Sequence, residues 1–282
     1  MPELPEVETV RNGLVRHLVG ARISDVELRR KDLRFPLPRN MRARLRGRQV
    51  LGVDRRAKYL LVRLSDGLTW LVHLGMSGFF TLLEADEDCE RGPHDHVVVH
   101  LEDERRAIYT DPRRFGVMDL LVTGHESRHK LLSHLGPEPL DDGWDAAVLC
   151  DALRGRRTSV KAALLDQETV VGVGNIYACE ALFHARISPR RLSATVAGRT
   201  GTTIRARRLV SALKSVLAEA IRAGGSTLRD FRSVEGELGY FAYTFQVYDQ
   251  EGASCARAAC DGRVRRIVQS GRSTFYCSGC QR

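Results

Sequence analysis

The chain has 282 residues, 43% of them hydrophobic, which suits two domains of ordinary size with separate cores. No apolar run approaches the ~20 residues needed to cross a bilayer. The acidic, proline-punctuated opening MPELPEVETV lacks the basic-then-apolar order of a secretion signal, so a cytoplasmic protein is expected. Lys and Arg outnumber Asp and Glu by 44 to 35, a formal charge of +9, with arginine prominent in RRAKYL, DPRRFG and RGRRTSVK. Arginine pairs bidentately with phosphate, so composition leaves two readings open: a nucleic-acid surface or a merely solvated basic face.

In chain order, residues 2–20 are predicted helical, with Val7, Val10, Leu14 and Leu18 on one face. A strand-rich stretch follows to about residue 122. Runs 60–64 and 68–74 flank Ser65-Asp66-Gly67, and runs 96–101 and 106–110 flank Glu102-Asp103-Glu104, both suited to hairpins. Short strands at this spacing suggest a sandwich or flattened barrel. Residues 123–127 make a domain boundary, after which the pattern turns helical. Leu209, Leu213, Val216, Leu217, Ala220 and Ile221 mark the clearest amphipathic helix, stopped by Gly224-Gly225. Residues 226–240 read as a loop, and a hairpin is expected from Phe241 to the last cysteine. The fold class is α+β: an N-terminal β-sandwich with a leading helix (1–125), a helical domain with a loop (126–240), and a small metal-pinned tail (241–282).

Seven cysteines are present. Cys89, Cys150 and Cys179 are scattered and read as packed or surface thiols. Cys255, Cys260, Cys277 and Cys280 form C-x4-C, sixteen residues, then C-x2-C. Four thiolates in two close pairs are the donor set of one tetrahedral, structural Zn²⁺. Pro2 follows the initiator Met, whose removal would free a secondary amine. An α-amine of pKa near ~8, against ~10.4 for lysine, is far more often neutral and nucleophilic at pH 7. Taken alone, such a terminus is simply frayed. In VVGVGNIYACEALF, Gly172 and Gly174 relax a turn, and Asn175 is placed to cap a helix from Ile176. The exposed amides there suit a phosphate, although such caps are usually structural.

MPELPEVETV, RRAKYL, HLGMSG, YTDPRRFG, VVGVGNIYACEALF and the cysteine quartet, in this order, resemble the formamidopyrimidine-DNA glycosylase family over essentially the whole chain. The resemblance implies a helix–two-turn–helix domain carrying a β-hairpin zinc finger. It implies a bifunctional glycosylase and lyase of base excision repair, working near the nucleoid as a monomer with no membrane partner. Its partner would be double-stranded DNA containing 8-oxoguanine, formamidopyrimidines or abasic sites. Pro2 then attacks C1′ and forms a Schiff base, and β,δ-elimination follows.

Carried over residue by residue, Glu3 matches the acid that protonates the sugar ring oxygen. That role needs a desolvated or like-charged setting, which Glu6 and Glu8 could supply; equally, these acids favour a helix N-terminus. Lys58, read as a strand lysine, matches a phosphate contact that assists the first elimination. His73 opens HLGMSG, as a packed core histidine or a DNA neighbour. His94 matches a DNA contact, and a metal pair with His96 is not expected because successive strand residues alternate faces. Met76, Arg113 and Phe115 match the trio that fills the gap left by the extruded nucleotide. Asn175 and Arg272 match residues gripping the phosphate beside the lesion, with Arg272 aiding the second elimination. Arg156 and Lys161 match further basic positions, and residues 226–240 the cover over the flipped base. The family's usual first cysteine pair is C-x2-C, so the two added residues, among Ala256, Arg257, Ala258 and Ala259, are expected to bulge outward. Two rival readings stand: an endonuclease VIII-like glycosylase for oxidised pyrimidines, disfavoured by MPELPEVE and DPRRFG, and a non-catalytic damage-binding protein of the same fold that keeps Met1.

Overall fold

A computed structural model describes residues 2–87, 90, 92–226 and 241–282, the side chain of Tyr243 excepted. Met1, Cys89 and residues 227–240, most of the stretch expected to be a loop, therefore lie outside the described residues. The chain divides into two compact units, Met1–Ser133 with Ala223–Tyr240, and His134–Arg222 with Phe241–Arg282.

In the first unit, helix α1 (Leu4–Leu18) starts where Glu3 closes a capping box with Glu6 and where Pro5 sits in the opening turn. Its face of Val7, Val10, Leu14 and Leu18 is buried, as the helical spacing predicts. Strands β1 (Ile23–Leu28), β6 (Asp95–Leu101), β7 (Arg106–Thr110) and β5 (Phe79–Leu83) form one antiparallel sheet in the order β1-β6-β7-β5. A second antiparallel sheet runs β2 (Val50–Arg56), β3 (Tyr59–Leu64), β4 (Leu68–His73), β8 (Val117–Val122). Alternate residues of both sheets, among them Val53, Leu60, Val62, Trp70, Val72, Val97, Val99 and Tyr109, join the α1 face and short helix α2 (Met41–Leu45) in one core. Both expected hairpins form; Asp66 and Gly67, at φ 58° and 68°, supply the left-handed turn between β3 and β4.

The second unit is helical. Asp145 caps α3 (Ala146–Leu153) through the Ala147 and Val148 amides, and Ser159 caps α4 (Val160–Leu165) through that of Ala162. Then come α5 (Asn175–His184), α6 (Ser193–Ala197) and the amphipathic α7 (Ile204–Arg222), followed by strands β9 (Val264–Gln269) and β10 (Arg272–Cys277). The hairpin thus begins at Val264, not Phe241: residues 241–244 make a 3-10 turn, and no strand precedes β9 in this tail. The reason lies with α5, which is buried from Ile176 to Phe183 and needs cover on every side. Part of that cover is the chain at 246–248, whose amides turn inward to a carboxylate. Glu180, 2% exposed, accepts N–H bonds from Gln246 (3.0 Å), Val247 (3.0 Å) and Tyr248 (2.8 Å). Cys150 and Cys179 are packed thiols, as expected. No described helix is long and apolar enough to cross a membrane.

Replacing Glu180 with alanine strands three inward-facing amides, and the second unit should lose roughly 3 kcal/mol of stability. Urea unfolding followed through signals of that unit checks the figure; a loss below about 0.5 kcal/mol would mean water substitutes freely for the carboxylate.

Candidate active site and nucleic-acid interface

Pro2 and Glu3 are both buried at the start of α1. Glu3 N donates to Glu6 Oε2 at 2.8 Å, while Glu6 Oε1 accepts from Ser226 N (2.8 Å) and Ser226 Oγ (2.9 Å). Glu6 therefore ties the Glu3 backbone to Ser226, four residues beyond the end of α7 at Arg222. Glu8 plays no part in a like-charged setting: its two oxygens each receive a guanidinium Nε at 2.7 Å, from Arg11 and from Arg55. That leaves Glu6 as the acidic neighbour in direct contact with the Glu3 backbone.

Lys58 lies in the turn between β2 and β3, after Ala57 at φ 54°, and not on a strand as expected; it is 8% exposed. Its charge reaches His73. Burial first, then the Lys58 and Arg34 charges, push His73 down from 6.5 to about 4. The neutral ring accepts Gly75 N–H at Nδ1 (3.0 Å) and stands 4.8 Å from the Tyr59 ring. His73, half-buried at the end of β4, thus braces the HLGMSG turn through the Gly75 amide.

That turn and the DPRRFG turn are built as one object. Asp111, fully buried, accepts from Ser77 Oγ (2.7 Å) and Gly116 N (2.8 Å), and Ser77 Oγ in turn accepts Arg113 N–H (3.2 Å). The backbones approach so closely that a Cβ on Gly75 would meet Phe115 C at 2.4 Å, and one on Gly116 would meet Tyr109 Oη at 1.9 Å. Burial, then the Asp111 charge, hold Tyr109 neutral well above its ordinary value. From this frame Met76 (37%) and Phe115 (42%) stay exposed, and the Arg113 guanidinium lies 4.9 Å from the Phe115 ring centroid. The structure brings Met76, Arg113 and Phe115 onto adjoining turns, as the sequence reading requires. Asp111 and Ser77 were missed as their supports, although an Asp directly before Pro-Arg-Arg in a strand-ending turn was the available signal.

His94 is exposed just before β6. Alternation of faces does not separate it from His96, contrary to expectation, because residues two apart share a face and the rings stand 6.4 Å apart. His96 Nε2 is held against Asp111 O at 2.9 Å, and among the described residues no group of three or more metal-ligating side chains includes either ring.

In the second unit, Asn175 is not a cap. Gly174 occupies the N-cap position, and the Asn175 side chain spans outward: Nδ2 donates to Ser273 O (2.8 Å), and Oδ1 accepts from Lys161 Nζ (2.6 Å). Lys161, 1% exposed, also donates to Thr274 Oγ1 at 2.7 Å. The Asn175 amide is thus held against the carbonyl of Ser273, the residue that follows Arg272. That arginine is exposed at the head of β10, after the Ser270-Gly271 turn with φ 48° and 71°. Arg156 Nη1 is paired with Asp166 Oδ2 at 2.6 Å, so any phosphate there competes with a carboxylate.

The four C-terminal sulfurs all lie within 4.8 Å of one another, with Cys255–Cys280 at 3.8 Å and Cys260–Cys277 at 3.7 Å. Sulfurs bound tetrahedrally at ~2.3 Å stand ~3.8 Å apart, so the donor set fits a single ion. Burial, then the Cys255 and Cys277 sulfurs, push Cys280 up to about 12, and a central divalent cation would reverse that. Among the described residues this is the one group of three or more His, Cys, Asp or Glu side chains placed to hold a metal. The longer first knuckle bulges only in part: Ala256, Ala258 and Ala259 are exposed, but Arg257 folds inward.

His73 sets a pH dependence. Its folded-state pKa of about 4 lies below the unfolded 6.5, so between those values the unfolded chain binds more protons. Stability is full above pH 6.5 and falls by up to about 3 kcal/mol as pH drops toward 4. In His73→Asn this dependence should flatten; an unchanged slope in urea titrations across the window would place the protonation elsewhere.

Residues 1–118 match the family model for the formamidopyrimidine-DNA glycosylase N-terminal domain, and residues 135–232 that for the formamidopyrimidine-DNA glycosylase H2TH domain. Curated relatives named formamidopyrimidine-DNA glycosylase include those of a Bradyrhizobium species, 54% identical, and Ruegeria pomeroyi, 52% identical, each alignment covering 100% of both chains. Among solved structures, the MutM (Fpg) protein of Thermus thermophilus superposes with a TM-score of 0.86 at 41% identity, over 99% of this chain and 98% of that one. The Lactococcus lactis protein matches at TM-score 0.88 and 31% identity, over 100% of each chain, in a complex of a mutant form with Fapy-dG-containing DNA. Its wild-type form was also solved with DNA containing an oxidised pyrimidine, with a TM-score of 0.87 at 31% identity over 100% of each chain. With both of its domains matched and its full length shared with such relatives, this chain belongs to the formamidopyrimidine-DNA glycosylase family of DNA-repair enzymes.

Proposed function

We propose that this chain excises oxidised purines, 8-oxoguanine and formamidopyrimidines, from duplex DNA and then cuts the strand on both sides of the lost base. The observation that carries the reading is the buried terminus, where Pro2 and Glu3 adjoin the Glu6–Ser226 link. Once Met1 is removed, the Pro2 nitrogen is a secondary amine. Its lone pair attacks C1′ as the C1′–base bond breaks, the electron pair leaving on the base. The new C1′–N centre loses its N–H proton, Glu3 protonates the ring oxygen, and the C1′–O4′ bond breaks as the nitrogen lone pair forms C1′=N⁺. The iminium so formed has no N–H to lose and draws electrons from C2′. Loss of a C2′ proton then expels the 3′ phosphate, and a second elimination expels the 5′ phosphate. Lys58 and Arg272 are assigned to the phosphates of these two steps, and Asn175 to the phosphate it shares with Arg272. Arg156 and Lys161 are assigned to the same basic surface, Lys161 acting from within by holding the Asn175 amide.

Met76, Phe115 and Arg113 take the place of the extruded nucleotide. Removing a base from the stack costs a few kcal/mol, which an apolar wedge and a hydrogen-bonding cation offset in part. His94 and the exposed side of the His73 turn border the DNA. Cys255, Cys260, Cys277 and Cys280 are assigned to one zinc ion, which supplies structural order to a hairpin too short to hold itself. The second reading, oxidised pyrimidines, keeps its place because the Lactococcus lactis relative was solved with such DNA.

Two measurements test the assignment. Borohydride with 8-oxoguanine duplex should trap an adduct that peptide mass maps to Pro2, with slower trapping on thymine glycol. Trapping on Lys58, or an intact mass that still includes Met1 in active protein, would overturn it. Glu3→Gln should bind the duplex yet scarcely cut it. Metal analysis should give close to one zinc per chain, lost in Cys255→Ser and retained in Cys150→Ser or Cys179→Ser.

A further inference from the structure

The first cysteine pair carries a four-residue spacer, and one of its side chains does something the other three do not. Ala256, Ala258 and Ala259 are exposed, whereas Arg257 turns back onto α5. Its Nη2 donates to Phe183 O at 2.7 Å and to His184 O at 3.2 Å, and the guanidinium carbon lies 4.6 Å from the Phe183 ring centroid. Those carbonyls end α5, where the helix dipole is negative and acceptors lack intrahelical donors. The contact is specific enough to leave Arg257 Nε buried without a hydrogen-bond partner. At the opposite end of α5, Asn175 Nδ2 holds Ser273 O, next to Arg272. The cysteine hairpin is therefore fastened to both ends of one ten-residue helix, about 15 Å apart. A metal in the quartet ties the sulfurs to one another but does not set how the hairpin lies on α5.

We propose that Arg257 is a positioning residue: it locks the orientation of the hairpin on α5 so that Arg272 and Asn175 address the same DNA phosphate. Lys161 on Thr274, Gln269 on Pro189 and Gln281 on Ile187 hold the strands and the last knuckle, whereas Arg257 is the side chain that holds the first knuckle to α5. Without it that knuckle can shift and tilt β9 and β10 with Arg272. This inference rests on the proposed function, and the experiment separates the two.

Arg257→Ala and Arg257→Lys would be compared with the full wild-type chain, each purified with zinc. On an abasic-site duplex, Arg257→Ala should yield several-fold less doubly cleaved product relative to singly cleaved product. Zinc content should stay at one, and the salt slope of DNA binding should be unchanged, because Arg257 meets no phosphate. Lysine keeps a charged donor for the two carbonyls and should restore part of the ratio. In the free protein, amides of 264–277 should exchange faster in Arg257→Ala with zinc still bound. A wild-type product ratio together with wild-type exchange overturns the proposal. Loss of zinc would assign Arg257 to building the metal site, and a salt slope lowered by about one phosphate would make it a DNA contact; either result also overturns it. If the wild-type chain fails to cleave, the proposed function falls, and the exchange comparison still decides the role of Arg257.

Discussion

A carboxylate withdrawn from water must be surrounded by donors, and three in this protein that obey that constraint each tie down an irregular stretch of described backbone. Glu6 gathers the Glu3 amide and both donors of Ser226. Asp111 gathers Ser77 and Gly116. Glu180 gathers three successive amides of the tail. Each acceptor sits on or beside a regular element, and each holds a segment that has no regular structure of its own. Loops positioned in this way can present side chains to a ligand without reordering when the ligand arrives.

Arginine does two kinds of work in the same chain. Arg55 and Arg63 direct their charge internally, to Glu8 and to Asp54 with Glu126. Arg113, on the turn held by Ser77 and Asp111, and Arg272, at the head of β10, are by contrast exposed. Net charge alone does not separate these classes; the position of each acid does. Arg156 stands between them, because its partner Asp166 is itself partly exposed and can be displaced.

The parts of the fold legible in the sequence were those encoded by local period. Alternation and turn residues gave both hairpins of the first unit, and the spacing of Val7, Val10, Leu14 and Leu18 gave the buried face of α1. Thiolate spacing gave the metal-binding quartet. What local pattern could not give were partners distant in the chain. Asn175 looks like a helix cap until Ser273, 98 residues away, claims its amide. The start of the tail hairpin was misplaced because Glu180, and not cross-strand pairing, holds residues 246–248. Lys58 looked like a strand residue because a left-handed Ala57 carries no sequence signature. The inward turn of Arg257 was likewise invisible without α5 in place.

The attachment of α5 to the tail also constrains the order in which the protein can be made. A chain emerging from the ribosome exposes residues 175–184 long before residues 246–277. Until the latter appear, Glu180 faces no donors from the tail and the apolar flank of α5 has no cover. The second unit therefore completes only after residues 246–277 have been made, whereas the sandwich has all its strands by residue 122. A nascent or truncated product would consequently carry the strands of the N-terminal sandwich but an unfinished second unit. Such a fragment would leave the carboxylate of Glu180 and one apolar flank of α5 without the partners that bury them.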